Sequence, residues 1–220
     1  MKYWLLLFIS FYTLLSNATN WWYQGYVITN DDEKIYGEIY VPPHSQTTGA
    51  LVISGIDLEG FYNRVWFKHD GSESDYVPEM IREFGFTYMG SDYKFESTCL
   101  HFKSIVKSER TKHRFLNVVH RGNISLLRDC RMFQDGVAGR SGYPEYLTYY
   151  DYYLSSSDGK LIRLFSSNET EDLKMVLEQL GMDKRFLYSI GRIKVRTLAD
   201  VLYQYDVWLS EQKKPVQVVI

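Results

Sequence analysis

Histidines and cysteines are the side chains in this sequence most able to bind a metal ion or to act as a base or nucleophile. Cys99 and His101 lie two residues apart, so on a β-strand both would face the same side. That spacing suits two ligands of a zinc site, but a tetrahedral site needs two more, and the sequence nominates none. The remaining histidines are scattered along the chain, at His44, His69, His113 and His120. The sequence therefore predicts no metal site.

Acidic clusters and catalytic motifs point to no chemistry either. Residues 70–75, with the sequence DGSESD, carry oxygen ligands of the kind that calcium prefers, but they lack the spacing and the distal glutamate of a calcium-binding loop. A solvated hairpin turn is the simpler interpretation. The sequence contains no Gly-x-Ser-x-Gly, no His-Glu-x-x-His and no glycine-rich phosphate loop. We therefore expect no catalytic residue and no cofactor, although a site assembled from dispersed carboxylates would leave no local motif.

Cys99 and Cys130 are the only two cysteines of the chain, and two interpretations stay open. In an oxidising compartment the pair could form a disulfide. By closing the loop between them it would contribute about 3–4 kcal/mol to stability. The alternative is two unpaired thiols on separate strands. A catalytic thiol is not favoured, because the sequence shows no convincing base partner.

A run of tyrosines could recognise a ligand. Six tyrosines fall between residues 143 and 153. On a strand these rings divide between two faces, and one face would carry Tyr146, Tyr150 and Tyr152. We predict that the strand mainly packs against its neighbours. A ligand-binding stripe of Tyr146, Tyr150 and Tyr152 is the alternative, provided that the facing layer leaves these rings uncovered.

The elements that would position these residues are mostly strands. Of the 220 residues, 16% are aromatic, which favours the pleated surface of a sheet. About ten short segments rich in aromatic and β-branched residues, separated by turns, fill residues 24–166. Helical periodicity begins after residue 167, and about three helices follow within residues 168–212. The sequence therefore predicts an α+β fold, in which an antiparallel β-rich body (a sheet, roll or open barrel) precedes C-terminal α-helices in one domain of residues 19–220.

Four local expectations are specific enough to be checked against a structure. Pro42 and Pro43 should end the second strand. Residues 78–83 suit one helical turn that begins with a proline. Residues 107–112 suit a charged loop, and residues 134–142 suit a glycine-rich surface loop.

The N-terminus has the pattern of an export signal. Lys2 precedes an apolar run over residues 3–15, and Ser16 and Ala18 suit the −3 and −1 positions of a cleavage site. We interpret residues 1–18 as a cleaved signal peptide, because the apolar run is short for a membrane span of about 20 residues. The net charge of −2 argues against nucleic acid as a partner, since its binding needs a basic face.

Several stretches form an ordered series of motifs: GYVIT at 25–29, YGEI at 36–39, YVP at 76–78, IREFGF at 81–86, GNISL at 122–126 and YDVW at 205–208. The series resembles a family of secreted or periplasmic proteins of Gram-negative bacteria, whose members begin with a signal peptide and end in helices with a YNxW motif. The chain departs from that pattern at Asp206, where the family often has asparagine, and at Leu127, where tyrosine is common. The family has no established activity. The resemblance therefore implies export and the order of the secondary-structure elements, but it identifies no catalytic residue.

Two classes of function stay open. The first is an exported cell-envelope protein (periplasmic, outer-membrane-associated or extracellular) with a non-enzymatic binding or scaffolding role towards a glycan, a peptide or an envelope protein. The second is an envelope hydrolase whose site is assembled from dispersed carboxylates. A deep polar pocket that encloses two carboxylates about 5–10 Å apart would favour the hydrolase.

Overall fold

The computed structural model describes residues 21–48, 51–103, 109–135, 145–164 and 170–213. Within these ranges the side chains of residues 43–48, 51–55, 102–103, 109–110, 131–135, 145–148 and 170–171 are not described. The signal peptide expected at residues 1–18 lies outside the described residues. Most of the glycine-rich loop expected at residues 134–142 lies outside them as well.

The described residues form twelve β-strands. Ten of them make one antiparallel sheet in the order β12-β11-β10-β9-β8-β7-β1-β2-β5-β6, while β3 and β4 pair as a separate ribbon. The strands are β1 (Trp22–Thr29), β2 (Lys34–Tyr40), β3 (Pro43–Thr48), β4 (Leu51–Ile56), β5 (Val65–His69), β6 (Ser72–Tyr76), β7 (Ile81–Tyr88), β8 (Ser91–Lys103), β9 (Glu109–His120), β10 (Ile124–Asp135), β11 (Glu145–Ser156) and β12 (Leu161–Leu164).

Three α-helices follow the strands within the described residues: α1 (Thr170–Gln179), α2 (Lys184–Ser189) and α3 (Leu198–Gln212). Gly181 lies just after α1 with a φ of 90°, a left-handed conformation that glycine adopts without strain. Asp183 caps α2, because its carboxylate accepts a hydrogen bond from the Arg185 backbone N–H at 2.7 Å. The predicted α+β class, with strands first and helices last, is confirmed.

One of the two local predictions around the early strands is wrong. The helical turn predicted for residues 78–83 is overturned by β7, which begins at Ile81. The Ile81 side chain is buried, and its backbone lies opposite Thr29 of β1. Pairing with a neighbouring strand outweighs the local turn preference there. The prediction that Pro42 and Pro43 end the second strand is confirmed, because β2 ends at Tyr40, and Pro43 then begins β3.

The charged loop predicted for residues 107–112 is wrong from Glu109 onward. Strand β9 begins at Glu109, which lies opposite Lys103 of β8. Residues 91–99 of β8 also form a strand that the sequence pattern does not indicate. Cross-strand pairing over the length of β8 and β9 satisfies their backbone groups, so these strands form although they carry many charged residues.

One face of the main sheet, which we call the covered face, carries two hydrophobic cores. At the β10–β12 end, the three helices pack on the sheet through Leu126, Leu154, Leu173, Leu177, Leu198 and Leu202. At the β1–β8 end, Phe61 and Tyr62 of the segment between β4 and β5 pack on Val27, Ile39, Phe67, Phe84 and Phe95. Side chains alternate along each strand, so the intervening residues point to the opposite face.

Tyr62 is inserted where β9 and β10 separate. The two strands pair only between His120 and Asn117 of β9. Beyond that point the Phe115 N–H donates to the Tyr62 carbonyl at 3.0 Å, and the Cys130 N–H donates to the Tyr62 hydroxyl. Burial raises the pKa of this hydroxyl above its ordinary value. Tyr62 therefore supplies hydrogen-bond acceptors for backbone N–H groups of β9 and β10 that no longer pair with each other. These bonds hold the segment between β4 and β5 on the sheet.

Asp206 joins helix α3 to the hairpin between β9 and β10. Its carboxylate accepts hydrogen bonds from the backbone N–H and the side-chain amide of Asn123, at 3.1 and 3.0 Å, and lies 2.9 Å from Nε2 of His120. Partial burial works to raise the pKa of Asp206, but the hydrogen bonds from Asn123 and His120 outweigh it, so the pKa lies below its ordinary value. This contact fixes one end of the helical layer on the sheet.

Candidate functional site

Strands β1, β2 and β5 place five aromatic side chains on the face of the sheet opposite the covered face. The hairpin register sets Trp22 opposite Tyr40 and Tyr26 opposite Tyr36. Lys68 of β5 lies opposite Glu38, and Trp66 precedes it by two residues, so Trp66 shares this side. We call this surface the aromatic face; its rings are those of Trp22, Tyr26, Tyr36, Tyr40 and Trp66.

The aromatic face is organised but accessible. The Trp22 and Tyr40 rings meet edge to face with centroids 5.5 Å apart, and the Tyr26 and Tyr36 rings do so at 6.4 Å. Tyr36 is 66% exposed and Trp66 is 43% exposed. The alternate residues of the same strands, among them Val27, Ile39 and Phe67, are buried in the covered face. Cross-strand pairing therefore orients the rings while leaving surface for a ligand.

Polar side chains lie between the rings. The side-chain amide of Gln24 lies 3.5 Å from the carboxylate of Glu38, directly across the hairpin. The Lys34 ammonium lies 3.9 Å from the Tyr26 ring centroid and 4.9 Å from that of Tyr36. The Lys68 ammonium lies 5.8 Å from the Trp22 ring centroid. The face thus presents cationic donors, an anionic acceptor and a neutral amide beside flat apolar rings.

A cavity of about 310 Å³ adjoins the aromatic face. Its polar lining comes from Gln24, Thr87, Asp92 and Lys94, and its aromatic lining from Tyr26, Tyr36, Phe86 and Tyr93. The Thr87 hydroxyl donates to the Asp92 carboxylate at 2.7 Å, which orients that acceptor. The volume lies at the lower end of the range for small-molecule sites.

Gly85 makes room for the Tyr26 ring beside this cavity. A Cβ atom at Gly85 would lie 2.9 Å from three atoms of the Tyr26 side chain, which is closer than van der Waals contact allows. The Tyr26 ring therefore lies across the bare backbone of β7. Its hydroxyl donates to the Glu83 carboxylate at 2.6 Å, which holds the ring in place.

Glu83 and Glu96 form a pair of carboxylates below the Tyr26 hydroxyl. They lie opposite each other on β7 and β8, and Nη2 of Arg121 is 2.8 Å from an oxygen of each. The two oxygens are therefore at most twice that distance apart. Burial raises the pKa of Glu96, as does the charge of Glu83, whereas Arg121 acts to lower it. Because the guanidinium occupies the space between the carboxylates, this cluster serves to hold Tyr26 rather than to activate water on a substrate.

The tyrosines singled out from the sequence lie elsewhere. Tyr150 and Tyr152 are on β11, on the covered face, with ring centroids 6.4 Å apart. Tyr152 packs against the helical core, while Tyr150 is 44% exposed and has the Arg128 guanidinium 5.0 Å from its ring centroid. Tyr146 belongs to β11, but its side chain lies outside the described residues. The structure thus brings Tyr150 and Tyr152 together with each other and not with the aromatic face.

Cys99 and Cys130 are both free thiols. Cys99 lies on β8 opposite His113, and Cys130 lies on β10 opposite Tyr150. Strand β9 runs between them, so their backbones are at least two interstrand spacings apart, about 10 Å. A disulfide requires Cα atoms within about 7 Å, so the bridge considered from the sequence is not formed in this arrangement. Burial raises the pKa of the Cys130 thiol, which disfavours a reactive thiolate.

The described part of the chain contains no group of three histidine, cysteine, aspartate or glutamate side chains with metal-binding geometry. His101 instead lines a cavity of about 150 Å³ with Leu100 and Tyr153. None of the helices in the described ranges combines the length and the apolarity needed to cross a bilayer.

Comparison with known proteins adds no assignment. No family model, no curated protein and no solved structure matches the chain. The resemblance to a secreted family of Gram-negative bacteria therefore stays a prediction.

The sequence does contain a signal for the aromatic face. Aromatic residues recur at every fourth position of the first hairpin, as Trp22 and Tyr26 on one strand and Tyr36 and Tyr40 on the other. This period places all four rings on one side of a strand pair. The tyrosines of β11 are denser but divide between two sides.

Proposed function

We propose that this chain is an exported cell-envelope protein with a binding role, and that its ligand lies across the aromatic face. The observation that carries the proposal is the position of five aromatic rings on three adjacent strands, on the side opposite the hydrophobic core that Phe61 and Tyr62 form on the same strands. A solvent-facing side of an antiparallel sheet ordinarily carries polar residues. Clustered, accessible aromatic rings with interleaved polar groups are characteristic of recognition surfaces.

Sheet stability alone does not account for this surface. Cross-strand aromatic pairs contribute about 0.2–1 kcal/mol each, which explains the Trp22–Tyr40 and Tyr26–Tyr36 pairs. Trp66 has a different environment, with the Arg64 guanidinium 5.6 Å from its ring centroid and almost half of its side chain exposed. Its replacement should therefore change binding far more than stability.

The hydrolase alternative finds less support. Its best candidate is the Glu83–Glu96 pair, in which burial raises the pKa of Glu96. Both carboxylates contact the same Arg121 nitrogen, so no substrate atom can lie between them without displacing the guanidinium. Export is supported by the leader pattern of residues 1–18.

Affinity capture from an envelope extract of the source organism tests the proposal. Immobilised wild-type protein is compared with a variant that combines Tyr36→Ala and Trp66→Ala, and with the control Tyr188→Ala. Tyr188 lies on α2 and is 83% exposed. Its replacement therefore removes an exposed aromatic ring that is not part of the aromatic face. We expect wild type and control to retain the same envelope component and the double variant to lose it. Equal capture by all three proteins, or no capture by wild type, would refute the proposal.

A further inference from the structure

We infer that the ligand of the aromatic face is an uncharged oligosaccharide, one sugar ring of which enters the cavity beside Tyr26 and Tyr36. The inference rests on the proposed function and names its ligand class. Five properties of the surface support it: the flanked strands, the polar groups between the rings, the adjoining cavity, the balance of charge and the dimensions.

Each strand below the aromatic face has a neighbouring strand on both sides. Strand β1 pairs with β2 and β7, strand β2 pairs with β1 and β5, and β5 pairs with β2 and β6. An extended peptide that binds by strand addition needs a strand at the edge of the sheet, and none of these three strands lies at an edge. Recognition on this face therefore falls to the side chains, which suits a ligand without a repeating amide backbone.

The side chains match the two surfaces of a sugar. The C–H faces of a pyranose ring are apolar and flat, so they can stack on the rings of Trp22, Tyr36 and Trp66. The hydroxyls at its edge each need a donor or an acceptor. Gln24 supplies both, Glu38 supplies acceptors and Lys68 supplies donors, all on the same side of the sheet.

The cavity provides a matching site at one end of the face. Gln24, Tyr26 and Tyr36 belong to both surfaces, so a ligand can continue from one into the other. Inside the cavity, Asp92 accepts from Thr87, and the Lys94 side chain adds donors. An aromatic wall with a few polar groups is the composition expected of a small-molecule site.

The charge of this surface favours an uncharged ligand. Charged side chains of both signs surround the rings and the cavity: Lys34, Arg64, Lys68 and Lys94 are cationic, and Glu38, Glu73, Asp75 and Asp92 are anionic. Neither sign dominates, so an anionic polymer or an anionic membrane surface would meet carboxylates as well as cationic groups. A neutral polyol can hydrogen-bond to groups of either sign.

The dimensions suit a short chain of sugars rather than a single ring. Trp22 and Tyr26 are four residues apart, about 13 Å along the strand. Trp66 lies two strands from β1, roughly 10 Å across the sheet. A single monosaccharide would reach one end of this surface and leave the other rings free.

A glycan array of uncharged and anionic oligosaccharides, followed by fluorescence titration, tests the inference. Trp22 and Trp66 lie on the face, so their emission should change when a sugar stacks on them. We expect binding to uncharged oligosaccharides, with affinity roughly tenfold weaker for Trp66→Ala and largely retained for Trp66→Phe. Tyr188→Ala should bind within about twofold of wild type. Urea denaturation of each variant shows whether a weaker affinity reflects lost contacts or lost folding.

Several results would overturn the inference. Binding only to anionic glycans, or equal binding by Trp66→Ala and wild type, contradicts it. Co-sedimentation with phosphatidylcholine vesicles that depends on Trp66, without glycan binding, would identify a lipid surface instead.

If the array is negative while envelope capture still depends on Tyr36 and Trp66, the ligand is not a neutral glycan and the proposed binding role stands. Capture that survives protease but is abolished by periodate supports the glycan; the converse result identifies a peptide.

Discussion

Replacing Gly85 with alanine tests whether the bare backbone of β7 positions the Tyr26 ring. The added Cβ would lie 2.9 Å from three Tyr26 atoms, so the ring must swing away. It then loses the 2.6 Å hydrogen bond to the largely buried carboxylate of Glu83. A hydrogen bond to a charged group contributes about 1.5–3 kcal/mol, so we expect Gly85→Ala to lower the free energy of unfolding by about 2 kcal/mol. It should also weaken binding at the aromatic face.

A double-mutant cycle measured by urea denaturation isolates this contact. In a Tyr26→Ala background the ring is absent, so Gly85→Ala should cost less than about 0.5 kcal/mol. The difference predicts a coupling energy of at least about 1.5 kcal/mol between the two positions. Gly191→Ala serves as the matched control, because a Cβ there meets no atom within 4 Å and the substitution should be nearly neutral. Additive effects of Gly85→Ala and Tyr26→Ala would refute the reasoning.

Two further substitutions test contacts that hold the fold together. Tyr62→Phe removes the hydroxyl that accepts from the buried Cys130 N–H, so the free energy of unfolding should fall by about 1–3 kcal/mol; unchanged stability in chemical denaturation would show that this N–H finds another partner. Asp206→Asn should lower stability by about 1–2 kcal/mol at neutral pH, because the charged acceptor of the Asn123 and His120 hydrogen bonds is lost. Since folding lowers the pKa of Asp206, this contribution is present above its unfolded value, near 4, and is lost as the pH falls through the folded value. The stability difference between wild type and Asp206→Asn should therefore shrink below about pH 4, and a constant difference down to acid pH would contradict this account.

Local signals in the sequence were sufficient for the class of fold and for several of its turns. The first hairpin follows from alternating aromatic and β-branched residues on either side of residues 30–34. The stop after α1 follows from Gly181, and the start of α2 from Asp183, since both act through their own backbone neighbourhood. The predictions for residues 78–83 and 107–112 were wrong because pairing with a neighbouring strand outweighed the local preference for a turn or a loop.

The candidate site could be predicted only in part. The four-residue period places two rings on one side of each strand of the first hairpin, and the hairpin register brings the two pairs to the same face. The contribution of Trp66 depends on the pairing of β2 with β5, and the cavity depends on the pairing of β1 with β7. The cluster that holds Tyr26 joins Glu83 and Glu96 to Arg121, which is 25 residues from Glu96 along the chain. No local pattern specifies such contacts, because they arise from strand order.

The sequence by itself determined that strands precede helices, since periodicity and turn chemistry act over a few residues. It also determined that aromatic residues alternate on the first two strands. Only the tertiary structure decided which side of the sheet is covered, because that depends on where the segment around Phe61 and the C-terminal helices dock. That choice packed Tyr152 and Leu154 of β11 against the helices. It left the rings of Tyr36 and Trp66 accessible, because the segment around Phe61 covers only the other side of β2 and β5.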